Sequence, residues 1–229
     1  SAASDVYKRQ VFGLIIVSCS DGNKSTNLEV SLHDKPLLQV EIQPRPLPNP
    51  NKNAYFGDLH VHTANSFDAY TFGTITTPAD AYKYAQGHPI LHPSGFLIQL
   101  SRPLDFYAVT DHGVFMGLMK EAGDTSSEFS KYELTEPIHN LNKSVNNGLF
   151  SLIRRSGLFR PFGEAVRKGL ADGTIDGSIV EEVGRSAWEE TIKAADEAYA
   201  PGTFTTFAAY EYTSSFDLYD KYLHRIVIF

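Results

Sequence analysis

The chain has a single cysteine, Cys19, so no internal disulfide can brace it and no thiolate-rich metal site can form. It has no excess of positive charge. Its 20 basic and 27 acidic side chains give a net charge of −7 with the histidines neutral, and no basic stripe marks a nucleic-acid surface. It also lacks an internal repeat. The apolar run Val11-Phe12-Gly13-Leu14-Ile15-Ile16-Val17 falls well short of the roughly 20 residues needed to cross a bilayer. What is present is a folding composition, 42% hydrophobic, which can bury a core.

The most informative segment is Gly57-Asp58-Leu59-His60-Val61-His62-Thr63. Alternate side chains of a strand share a face, so His60 and His62 point one way while Leu59 and Val61 point the other. Two such imidazoles at a strand end can grip one divalent cation. A second apolar segment, Leu104-Asp105-Phe106-Tyr107-Ala108-Val109-Thr110, runs into Asp111-His112-Gly113, and a third over residues 203–213 reaches Glu211. Several strands that finish on metal-capable side chains point to a barrel or open sheet with its site at one rim. His224 opens the next strand-like segment, beyond a polar turn of about ten residues. In an antiparallel hairpin it would share a sheet edge with Glu211.

The ends have their own character. Asp5-Val6-Tyr7-Lys8-Arg9-Gln10 resembles a translated library-preparation sequence, and residues 1–10 are read as an artefact outside the fold. Residues 11–19 read as the remnant of a secretory signal, and Ile16-Val17-Ser18-Cys19 resembles a bacterial lipobox. That resemblance implies cleavage before Cys19, lipidation of its thiol and attachment to a membrane, as a periplasmic or outer-membrane lipoprotein of the bacterial cell envelope. A buried strand with a core cysteine is the alternative. Residues 20–52 read as a polar tether followed by a proline-rich lead-in, with five of the 12 prolines between Pro36 and Pro50 and room for a short strand at 37–42. At the far end, Tyr222-Leu223-His224-Arg225-Ile226-Val227-Ile228-Phe229 reads as a strand without a terminating turn. The chain is therefore expected to be a piece of a longer protein, inactive by itself.

Between these ends the pattern alternates. Residues 54–62 are strand-like. Thr77 and Pro78 open a helix that runs to about Gln86, before Gly87. A loop rich in glycine and proline leads into a strand at 105–110, and 114–122 has the look of a short helix. Residues 123–200 read as a helical insertion, with helical spacing at 149–156, 161–170 and 178–199. Strand composition returns at 203–212 and 222–229.

The runs GDLHVHT, TDH, AAYEYT and LHRIVIF, in this order, resemble the PHP (polymerase and histidinol phosphatase) superfamily, and more narrowly a bacterial branch described as a domain of unknown function. The resemblance covers about residues 53–115 and 203–229. It implies an α/β fold, here an incomplete distorted (β/α)7 PHP-type barrel over 53–229 with the helical insertion at 123–200. It also implies two or three divalent transition-metal ions (Zn, Mn or Fe) at the carboxyl-terminal rim. His60 and His62 would hold the first ion, Glu211 would bridge first and second, and His224 would bind the second. His112 and Asp68 would belong to a third, although many relatives carry histidine where Asp68 stands. The implied activity is metal-dependent hydrolysis of a small-molecule phosphoester.

The residue chemistry points the same way. A carboxylate such as Glu211 can divide its oxygens between two cations, which imidazole cannot, and mixed nitrogen and oxygen donors suit Zn²⁺, Mn²⁺ or Fe²⁺. Asp111, beside His112, is expected to serve catalysis by orienting a ligating imidazole. Arg225 is a candidate for holding the substrate phosphate, although a regular strand turns it away from His224. Each residue keeps an ordinary reading too: surface histidines at 60 and 62, a core or cap histidine at 112, a helix-start aspartate at 68, an ion-paired Glu211, a hydrogen-bonded His224. Two further functions remain open: an amidohydrolase-like enzyme cleaving another ester or a C–N bond, and a non-catalytic lipoprotein module stabilised by one metal. His88, His92 and His139 are assigned no chemistry, and Phe72 and Trp188 are assigned to packing.

Overall fold

The computed structural model describes residues 44, 47, 49–50, 53–143, 151–214 and 223–229, with the backbone alone for 151–154. Cys19, the tether and the strand expected at 37–42 lie outside the described residues. In chain order the elements are β1 (Gly57–Asp58), α1 (Phe67–Thr71), α2 (Pro78–Ala85), β2 (Ile90–Leu91), β3 (Leu97–Ile98), β4 (Phe106–Tyr107), α3 (Leu118–Gly123), two 3₁₀ turns (Phe129–Lys131 and Glu133–Ile138), α4 (Ser151–Asp172), α5 (Gly177–Ala198), β5 (Thr205–Thr206), β6 (Ala209–Thr213) and β7 (His224–Ile228). The fold is mixed α/β, with small sheets and no closed barrel among the described residues.

β4 lies between β1 and β5 and is parallel to both, with Gly57 opposite Phe106 and Phe106 opposite Thr205. Backbone bonds carry this pairing past the formal strand ends. Thr110 N donates to Val61 O at 2.7 Å, Glu211 N to Asp111 O at 3.0 Å, and Gly113 N to Glu211 O at 2.9 Å. Three chain paths thus leave the sheet together at their carboxyl ends, the edge at which α/β sheets gather ligands. One face of the sheet is covered by α2 and α5, where Tyr82, Ala85, Ala194 and Ala195 pack with Tyr107, Val109 and Phe204. β1 and β4 approach so closely that a Cβ on Gly57 would stand 2.2 Å from the Phe106 carbonyl oxygen.

The helix expected from Thr77 forms as α2. Thr77 accepts the Asp80 backbone N–H at 3.2 Å, Asp80 reaches back to the Thr77 N–H at 3.4 Å, and Gly87 follows the end at φ +88°. Other expectations are modified. The two helices anticipated at 149–156 and 161–170 are one, because α4 runs straight through Pro161. An interior proline costs about 3 kcal/mol. Burial of Phe162 and Val166 against Leu118, Met119, Phe129 and Ile138 offsets it, at roughly 1.5–3 kcal/mol for each large apolar side chain. The short helix anticipated at 114–122 starts only at Leu118, since Phe115 (φ 56°) and Gly117 (φ 74°) hold left-handed conformations that interrupt it.

The loop before β4 contains a small hairpin, β2 and β3, closed by His92-Pro93-Ser94-Gly95 with Gly95 at φ +85°. Two residues per strand are too few to leave a periodic signal. The strand anticipated at 203–212 divides into β5 and β6, where the chain exchanges parallel pairing with β4 for antiparallel pairing with β7.

Gly57→Ala should lower the thermal unfolding midpoint, at a cost of about 1–3 kcal/mol, because the obstructing atom belongs to backbone. A midpoint equal to the parent's would show that β1 and β4 can separate freely.

Candidate metal centre

The alternation of the first path places His60 and His62 on one side, with ring centroids 5.2 Å apart, while Val61 packs into the sheet core. His112 ends the second path and forms a parallel bridge with Glu211, which lies two residues into β6. The β6–β7 register then pairs Thr213 with His224, so Glu211, Thr213 and His224 project from one face of the hairpin. The edge shared by Glu211 and His224 is the one expected from sequence.

Glu211 is the centre of the arrangement, with only 2% of its surface exposed. Its Oε2 lies 3.0 Å from His60 Nε2, 2.9 Å from His62 Nε2 and 3.7 Å from His112 Nδ1. Its Oε1 lies 2.6 Å from His224 Nδ1. One oxygen therefore faces the H-x-H pair and the other faces the hairpin histidine. Burial alone would raise the Glu211 pKa, but the surrounding imidazoles, His112 foremost, hold it below the ordinary carboxylate range.

Asp68 occupies the first turn of α1 and sits between two rings, 3.2 Å from His62 Nδ1 and 3.4 Å from His112 Nε2. Ser66 completes this corner. Its hydroxyl donates to Asp68 Oδ1 at 2.6 Å, accepts the His112 backbone N–H at 3.3 Å and lies 2.9 Å from His62 Nδ1. The single hydroxyl proton is committed to Asp68, so His62 Nδ1 carries the hydrogen between itself and Ser66. That leaves His62 Nε2 as the atom aimed at Glu211. Burial works to lower the His62 pKa, yet the bond to Asp68 and the nearby carboxylates raise it on balance. For Asp68, burial is outweighed by bonds to His112, His62 and Ser66, and its carboxyl is held well below the usual range. His112 Nδ1 also meets Thr213 Oγ1 at 2.6 Å.

These side chains form three overlapping groups whose donor atoms lie within 4.8 Å of one another: His60, His62 and Glu211; His62, Asp68 and His112; His112, Glu211 and His224. Each group could hold a metal ion, and all six residues expected as ligands converge. Ligation requires imidazole without its proton at the donor nitrogen, so the N–H bonds seen here compete with a cation.

Asp111 behaves differently from expectation. It is fully buried, and both oxygens accept from Thr63, Oδ1 from the backbone N–H at 2.5 Å and Oδ2 from the hydroxyl at 2.6 Å. It therefore fixes the backbone next to His62 rather than an imidazole. Next to His112 in an extended path, it points the opposite way. Arg225 is exposed, pairs with Tyr212 across the hairpin and lies on the face of β7 turned away from His224. The cluster is built without it.

Ser66, Thr63 and Thr213 were not singled out from sequence. Thr213 shares a strand face with Glu211 two residues away, a signal that was available. Ser66 and Thr63 lie in a loop without periodicity and carried none. Of the histidines assigned no chemistry, His92 stacks on Phe96 with centroids 4.4 Å apart, and His139 Nε2 bonds Ser130 O at 3.0 Å. Trp188 packs edge-on against Tyr210, whereas Phe72 is half exposed.

Residues 49–229 match the family described as "Protein of unknown function (DUF3604)", and the chain belongs to that family. Comparison with the curated proteins and with the solved structures finds no match.

Asp111 gives the site a pH signature. Burial raises its pKa from 3.8 to about 6, despite the Thr63 bonds that lower it. Its contribution to stability is fully present below 3.8 and disappears as pH rises through about 6, a loss of about 3 kcal/mol. Asp111→Asn, unfolded with urea in the presence of chelator, should therefore gain on the parent by roughly that amount between pH 4 and pH 7.5. A stability difference independent of pH would contradict the buried carboxylate as its source.

Proposed function

We propose that this chain belongs to a metal-dependent phosphoesterase of the PHP type, built on a (β/α)7 barrel and acting on a small-molecule substrate. The observation that supports the reading most is Glu211 itself, a buried carboxylate with one oxygen toward His60 and His62 and the other toward His224. The parallel order β1–β4–β5, with the cluster at its carboxyl ends, suits the first strands of such a barrel.

The donor set fits the proposed ions. Four imidazoles and two carboxylates, with no thiolate, suit Zn²⁺, Mn²⁺ or Fe²⁺. His60, His62 and Glu211 would hold the first, Glu211 and His224 with His112 nearby the second, and Asp68 with His112 a third. Bound there, such cations would activate water and stabilise charge developing on a phosphoryl oxygen. The chain's own residues prepare the place. Ser66 and Asp68 fix the His62 tautomer, Thr213 turns His112, and the Asp111–Thr63 bonds keep the intervening loop still. The His60 and His224 side chains are 62% and 45% exposed, an open side that suits access by substrate better than a closed structural site does. The lipobox-like Ile16–Cys19 segment supports attachment of the mature protein to a membrane in the bacterial cell envelope, which retention of Cys19→Ser in the membrane fraction would contradict.

Activity is measured on the protein loaded with Mn²⁺ or Zn²⁺. Metal analysis should find bound transition metal, and a panel of phosphomonoesters and diesters should find turnover. His60→Ala and Glu211→Gln should each lower kcat/KM by about 100-fold or more. Turnover confined to amides or sulfate esters would favour the amidohydrolase-like alternative. Absence of bound metal, with unaltered behaviour of both variants, would remove the proposal.

A further inference from the structure

The four residues between His62 and α1, Thr63 to Ser66, are all buried, and Asn65 is 1% exposed. Every polar group of Asn65 is engaged. Its N–H donates to Thr63 Oγ1 at 3.2 Å, and its carbonyl accepts the Gly117 N–H at 2.7 Å. Its side-chain Nδ2 donates to Glu190 Oε2 at 2.9 Å, and Oδ1 accepts from Lys120 Nζ at 3.1 Å. Lys120 Nζ closes the triangle by donating to the same Glu190 oxygen at 3.2 Å.

The three residues meet for a packing reason. α3 begins against α5 at Gly117, where a Cβ would lie 2.9 Å from Ala187 Cβ. Lys120 and Glu190 each stand one helical turn beyond that contact, three residues on, and so share a side. Their side chains remain 35% and 38% exposed, toward a cavity of about 230 Å³ that Glu121, Glu182 and Ser186 also line. An ion pair this open contributes little to stability. Its bonds reach Asn65, in the loop that runs from His62 to Ser66, the residue before α1 and its Asp68.

We propose that Asn65, Lys120 and Glu190 form a strut through which α5, the last helix before β5, positions the metal-binding loop. Cation affinity is then set in part by three side chains that touch no cation. The strut rests on the metal-centre reading above, and it makes the three residues positioning residues rather than ligands.

The test is charge exchange in the full-length protein. Lys120→Glu and Glu190→Lys alone each place like charges around the Asn65 amide. Combined, they restore donor to acceptor once that amide turns over. Two quantities are read: the dissociation constant for Mn²⁺ by chelator competition, and hydrogen exchange at the Ala64 and Gly117 amides without cation. Each single exchange should weaken Mn²⁺ binding about tenfold and speed exchange at both amides, and the double exchange should recover both. Glu190→Gln keeps the shape but removes the charge that holds Lys120. It should fall between the parent and the single exchanges, and it serves where a single exchange does not fold. Unchanged Mn²⁺ affinity in a folded variant, a double exchange without recovery, or weaker binding without faster exchange would each overturn the strut. A parent that binds no Mn²⁺ sinks the metal centre alone, and unchanged amide exchange in the variants then overturns the strut separately.

Discussion

A buried carboxylate cannot stand alone, and Glu211 answers that constraint by drawing four imidazoles to itself. Leaving one ionised oxygen pair unsatisfied in the interior would cost several kcal/mol. Here the compensating groups come from the end of the first strand path, the end of the second and the return strand of a hairpin. Each must arrive in register. A slip of one residue in β6 or β7 would send Glu211 or His224 to the other face of the hairpin and leave Tyr212 or Arg225 in its place. Strand pairing and site chemistry are in this sense one requirement.

The helical layers serve that requirement from behind. One apolar cluster joins α2 and α5 to the sheet, and a second joins α1, α3 and α4. Phe67, in the first turn of α1, belongs to the second cluster and touches the site. Its ring lies 5.0 Å from that of His112 and stacks 4.5 Å from Phe159 on α4. Arg155, also on α4 and 1% exposed, donates to the Thr71 carbonyl at the end of α1, where a cation meets the favourable end of the helix dipole. The long helix α4 is thus attached to α1, which carries Asp68 and follows Ser66.

What could be read in the sequence was whatever local geometry dictates. The spacing of His60 and His62 fixes a common face in any strand, and the turn between Glu211 and His224 implies a common edge in any hairpin. The Thr77-Pro78 start of α2 follows from backbone donors that need partners. What could not be read depends on contacts between distant segments. Pro161 lies inside a helix because Phe162 and Val166 are buried. Phe115 and Gly117 delay α3 by holding left-handed conformations, and Gly117 does so where the chain passes close against Ala187 of α5. Asp111, adjacent to a ligand candidate in sequence, grips Thr63 because neighbours in an extended chain face opposite ways. Ser66 has no pattern to announce it, yet it meets Asp68, His62 and His112 at once.

The most direct measurement is anomalous diffraction from crystals grown with Mn²⁺. Two difference peaks, about 3.5–4 Å apart with Glu211 between them, are expected, one near His60 and His62 and the other near His224. A map with no peak in coordination range of Glu211, its oxygens still taking hydrogen bonds from the same imidazoles, would contradict a metal centre at this site.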